Sequence, residues 1–133
     1  MIGAVVSLKK LSWEDFLKLK TSGETLHKLS VVTGSMTPLI PVGATVVVDK
    51  LAPYQVNDIV VFWHNNQLIV HILWSINKSI KHRDKEVLVT RALNARAVDA
   101  SISRENILGK VINYKLSFWD LLRLYVLKRS RRY

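Results

Sequence analysis

A chain of 133 residues with a 49% hydrophobic fraction can build one core, which excludes general disorder and a second independent domain. It has no cysteine, so disulfides and thiolate chemistry are excluded, and its four histidines, His27, His64, His71 and His82, show no metal-ligand spacing. The net charge of +10 is lopsided: residues 31–80 are neutral, whereas residues 81–133 hold thirteen basic and five acidic side chains, which suits docking onto an anionic surface.

The opening MIGAVVSL is too short for the apolar part of an export signal, and its lysines follow it rather than precede it. No apolar run reaches the roughly 18–20 residues of a membrane-spanning helix. The expectation is a cytoplasmic chain, at most peripheral on a membrane. Next, KLSWEDFLKLK predicts a helix over about 12–20, with Ser12 as N-cap, Asp15 at the third helical position, and Leu11 and Phe16 as a hydrophobic staple.

The stretch VVTGSMTPLIPVGATVVVDK follows. Its β-branched end predicts a strand over Thr45–Asp49. Gly34, Pro38, Pro41 and Gly43 punctuate the part before it and put Ser35 and Met36 on an irregular, constrained turn. There Ser35 is either a polar turn residue with Met36 plugging the core, or a serine with its hydroxyl exposed for chemistry. Ile59–Trp63 and Leu68–Leu73 read as strands, with Asn57-Asp58 as a turn and Asn65-Asn66 as a hairpin signal. Val87–Thr90 and Ile107–Ile112 add two more. The chain closes on KLSFWDLLRLY, which repeats the first helix signature with Ser117, Asp120, Leu116 and Leu121 and predicts a helix over about 117–129. This second helix is apolar on nearly every side and runs into KRSRR, which suits either burial or an interfacial membrane helix. Residues 1–133 thus form a single, mostly β domain: small, twisted, mostly antiparallel, with a helix at each end.

His71, in LIVHILW, is flanked wholly by apolar residues and shares a strand face with Ile69 and Leu73, so its ring is partly buried. It is either an imidazole satisfied by a backbone carbonyl or the base that a nucleophilic hydroxyl requires. His64, beside the hairpin, is expected to be exposed.

Several motifs in order resemble one family. GSMTPLIPVGATVVVDK is similar to the Gly-Ser-Met-x-Pro box and following strand of type I signal peptidases, and VNDIVVF to their Gly-Asp-Ile-Val-Val-Phe segment. LIVHI resembles the Ile-Val-His-Arg segment of the archaeal and endoplasmic-reticulum branch. TRALNARAVDA resembles the Thr-Lys-Gly-Asp-Asn-Asn box with its downstream Asp, and ILGKV the closing strand, so the resemblance spans about residues 31–112. It implies a signal peptidase/LexA-like fold and a serine endopeptidase that removes a signal or leader peptide after small residues, without metal or cofactor. Position by position it makes Ser35 the nucleophile, His71 the general base and Asp99 the acid orienting the base. It also puts the Thr33 hydroxyl with the Ser35 N–H at the oxyanion, and Met36 and Pro38 at the substrate groove. The chain departs from the pattern at Ala92-Leu93, Gly43-Ala44 and Asn57-Asp58, where Gly-Asp pairs are usual, and at Ile72, where Arg follows the His. Asp99 is then the only acid at the matched positions of the Thr90–Ala100 box.

Two other readings remain. A self-cleaving, repressor-type peptidase of the related LexA-like fold would use a Ser–Lys pair, and the first 30 residues are short for a helix-turn-helix domain. A non-catalytic module would bind membrane or nucleic acid through its basic ends. No aromatic–basic interleaving marks a base-stacking surface, so nucleic acid is not expected. The expected partners are a peptide or protein substrate and an anionic membrane surface.

Overall fold

The computed structural model describes residues 6–7, 10–79, 85–95 and 97–130; His82 and the arginines of the final basic cluster, Arg131 and Arg132, lie outside them. The elements are β1 (Val6–Ser7), α1 (Trp13–Thr21), β2 (Leu26–Ser30), β3 (Thr45–Asp49), β4 (Ile59–His64), β5 (Gln67–Ser79), β6 (Lys85–Arg91), β7 (Ile102–Ser103), β8 (Ile107–Val111) and α2 (Phe118–Ser130). One eight-stranded sheet runs in the order β1-β2-β3-β8-β4-β5-β6-β7. Only the β1–β2 pair is parallel. The protein is mostly β with a helix at each end, the class that the sequence indicates.

Asn65 and Asn66 make the tightest connection. Both have positive φ, 49° and 60°, the left-handed conformations that a two-residue hairpin between right-twisted strands needs. They set the β4–β5 register, Trp63 opposite Leu68 and Val60 opposite His71. β4 is buried on both faces. Val61, with Val70 and Ile72 of β5, enters the main core beside Phe16, Met36 and Leu108. Val60 and Phe62 join a smaller cluster with Leu73, Leu88 and Ile107 on the opposite face. The two-residue side-chain period therefore assigns each β5 position to one of two apolar layers. A bulge between Leu73 and Ser75 shifts that period and turns Ile76 into the smaller cluster.

β5 is thirteen residues long, more than twice the predicted Leu68–Leu73. Its first half, Gln67–Ile72, pairs with β4, and its second half, from Ile72 onward, with β6. On the side away from β4, Leu68–His71 therefore has no strand partner among the described residues; Gln67 alone makes a bridge there, to Lys10. β3 and β8 approach so closely that a Cβ added at Gly109 would stand 2.5 Å from the Asp49 carbonyl oxygen.

The two helices share a sequence signature but not an environment. In α1 the Asp15 N–H donates to the Ser12 hydroxyl, and in α2 Ser117 and Asp120 exchange bonds through backbone and side chains, the reciprocal capping box. α1 lies against the core: Phe16 is buried, and Trp13 packs on Phe16 and Trp63 with ring centroids 5.4 and 5.0 Å apart. Lys50 donates to the carbonyls of Leu19, Lys20 and Ser22 and closes the helix C-terminus. Among the described side chains of α2 only Leu124 is fully buried, while Phe118 and Trp119 are 70% and 73% exposed. Core burial of the second helix, one of its two readings, is limited to that one side.

Candidate active site

Ser35 sits five residues after β2, on a turn tied to itself and to a distant segment. Val31 continues the β2–β3 ladder through its N–H to the Ala44 carbonyl. Beyond it the chain leaves the sheet, and the Gly34 carbonyl accepts bonds from the Thr37 N–H and hydroxyl. The Thr37–Pro38 peptide bond is cis. The Asn94 side-chain amide donates to the Gly34 carbonyl at 2.8 Å and to the Thr37 hydroxyl at 3.1 Å, while its backbone N–H lies 3.4 Å from the Ser35 carbonyl. Asn94 thus holds the turn from outside, across some sixty positions of sequence.

The Ser35 hydroxyl is 3.2 Å from the Thr33 hydroxyl. The Ser35 N–H has no acceptor among the described residues, so one unused backbone donor and the Thr33 hydroxyl lie next to the Ser35 oxygen. Such a pair of donors is what a developing oxyanion requires.

His71 projects from β5 into the layer that holds Phe62, whose ring it meets edge-on at 5.9 Å. Its Nδ1 is 2.5 Å from the Asp99 carboxylate. The same Asp99 oxygen accepts a hydrogen bond from the Thr90 hydroxyl at 2.8 Å, and the Asp99 N–H donates to the Thr90 carbonyl at 2.7 Å. Thr90, on β6 opposite Leu73, is fully buried and grips Asp99 by both backbone and side chain. Partial burial alone would raise the Asp99 pKa. The hydrogen bond and charge of His71, the Thr90 hydroxyl and the His64 charge outweigh it and lower the pKa, so Asp99 is an anion at neutral pH. An ionised carboxylate at Nδ1 fixes the proton there and leaves the Nε2 lone pair available.

Ser35 and His71 line one groove of about 490 Å³, with Val31–Thr33 on one wall and Gln67–His71 on the other. Lys10 lies at the Gln67 end. No hydrogen bond joins Ser35 to His71 among the described residues.

Of the residues singled out from sequence, Ser35, Thr33 and His71 line one groove, and Asp99 is bonded to His71. Met36 and Pro38 do not line it: Met36 is fully buried in the main core, and Pro38 is exposed on the far part of the turn. Met36 anchors the turn to the core from beneath instead. His64, expected to be exposed, is half-buried. Leu93, where the resemblance leads one to expect an acid, is buried in the main core, and Arg91 bonds the Ala92 and Ala95 carbonyls that flank the turn. Sequence reasoning missed Thr90 and Asn94. Thr90 opens the very segment that carries Asp99, and the signal available was a lone hydroxyl at the end of an apolar strand.

No group of three or more histidine or acidic side chains among the described residues could hold a metal ion. No curated protein matches the chain. A family model described as peptidase S24-like matches residues 8–112, a span that takes in β2 to β8, Ser35, His71 and Asp99. The chain belongs to the peptidase S24-like family.

Proposed function

We propose that the protein is a serine endopeptidase that binds an extended segment of substrate in the groove and cleaves it with Ser35, His71 and Asp99. The observation that carries this reading is the His71–Asp99 pair on the same groove as Ser35. The free edge of Leu68–His71 offers a substrate strand main-chain hydrogen bonds, with Val31–Thr33 across from it. Ser35 Oγ attacks the scissile carbonyl while His71 Nε2 takes its proton. The Ser35 N–H and the Thr33 hydroxyl hold the oxyanion, and His71 then returns the proton to the leaving amine. Water completes the cycle by the same route on the acyl-enzyme. Asp99 stays ionised throughout and stabilises the imidazolium.

The finer reading follows the ordered motifs similar to type I signal peptidases. It makes the substrate a signal or leader peptide with small residues at the first and third positions before the cut. The family match favours a second reading, cleavage within the chain's own sequence in the manner of repressor-type peptidases. A lysine base, which such enzymes use, would among the described residues lining the groove be Lys10, and Lys10 lies at the opposite end of the groove from His71.

The test is incubation of the purified chain with a peptide library rich in Ala-x-Ala sites. Wild-type protein cleaves in trans. Ser35→Ala and His71→Ala each lose roughly a thousandfold or more, and the double variant is little worse than either. Cleavage surviving in Ser35→Ala rejects the assignment. Cleavage only within the chain, at a rate independent of its concentration, replaces the first reading with the second.

A further inference from the structure

The side of α2 turned to the sheet is short of apolar groups: Leu124 is buried, Leu127 is half-buried, and Lys128 reaches back to the Trp74 carbonyl at 2.7 Å. At 3.6 residues per turn the opposite side presents Phe118, Leu122 and Val126, flanked by Trp119 and Tyr125. These five are 42% to 73% exposed. A surface helix ordinarily turns its polar side outward, and here the outward side is apolar and aromatic. No described residue covers it.

Charge selects among the candidates. From Lys115 to the end, six basic side chains face one acidic one; Arg123, exposed, flanks the apolar side, and Arg129, exposed, stands at its C-terminal end against Tyr125. A second copy seated there would bring two such basic ends together, and a nucleic acid backbone would leave the aromatics in water. An anionic lipid surface satisfies both features. The helix is thirteen residues, about 20 Å, so it lies along a bilayer rather than crossing its roughly 30 Å core. We infer that α2 is an interfacial anchor that seats its Phe118–Leu122–Val126 side among the acyl chains of an anionic phospholipid surface, with Arg123 and Arg129 at the headgroups. α1 takes no part, because Trp13 and Phe16 are spent on the protein's own core.

The experiment is co-sedimentation of the full chain with phosphatidylcholine vesicles, with and without phosphatidylglycerol, at low and high salt. The chain sediments with the anionic vesicles, at least roughly tenfold more tightly than with neutral ones, and salt weakens but does not abolish the binding. Phe118→Ser with Trp119→Ser keeps the far-ultraviolet circular dichroism and removes the salt-resistant part. Arg123→Gln with Arg129→Gln keeps the fold and weakens anionic binding by roughly tenfold or more. Equal binding to both vesicle types, binding to neither, or variants that sediment like the parent would overturn the inference. So would a concentration-dependent dimer that Phe118→Ser with Trp119→Ser dissolves, since the cover would then be a second copy.

Discussion

One oxygen of Asp99 serves both the His71 ring and the Thr90 hydroxyl. Because the folded pKa is depressed, Asp99 adds stability that is present above its unfolded pKa and lost as pH falls through the lower, folded value. Thr90→Val removes one of the donors that lower it, so the folded pKa rises. Acid unfolding, followed by circular dichroism, should then begin at higher pH than in the parent. Asp99→Asn is a different test. It keeps the shape but permits the wrong tautomer, and kcat should fall by about 10⁴-fold. At this scale the motifs marked Ser35, His71 and Asp99, which the fold brings into one neighbourhood. The sequence was illegible at Thr90 and Asn94, whose roles are set by neighbours on other strands and turns. Met36, placed at the groove by the resemblance, takes instead the other reading of the turn and plugs the core beside Ser35.

Among the elements, those with strong local signals stood out. The Asn65-Asn66 turn, the two Ser–x–x–Asp helix starts and the β-branched β3 lie within a residue or two of their expected positions. Asn66→Val should cost about 1–3 kcal/mol in urea unfolding, since a β-branched side chain at positive φ is strained, whereas Asn66→Gly should cost nothing. β2 was hidden because its inward alternation runs through a histidine: His27 is buried beside Leu29, and LHKLS reads as polar. The second half of β5 carries Ser75, Asn77 and Lys78, polar side chains that its extended pairing with β6 leaves near solvent. Its length follows from pairing with β6, which no local pattern in β5 announces.

For the molecule as a whole, the sheet closes through its middle, where β8 separates β3 from β4 and depends on Gly109. Gly109→Ala forces backbone against backbone, so it should destabilise the domain by about 1–3 kcal/mol by urea denaturation, with the slope unchanged. The basic excess toward the C-terminus was plain from composition. That it borders an outward apolar side of α2 was not, since a helix apolar all round does not say which side the sheet will take.

The segment from Thr90 to Asp99 reaches both halves of the site. Asn94 pins the serine turn, and Asp99 holds the histidine. The two halves therefore share one fastening, and local opening of that segment releases both. In hydrogen exchange, the amides of Thr37, in the serine turn, and Asp99, bonded to Thr90, should exchange as one cooperative unit despite lying 62 positions apart. Asn94→Ala should speed both together while leaving the β4–β5 hairpin amides slow. A ligand that orders this one segment would order the serine turn and the histidine in a single event.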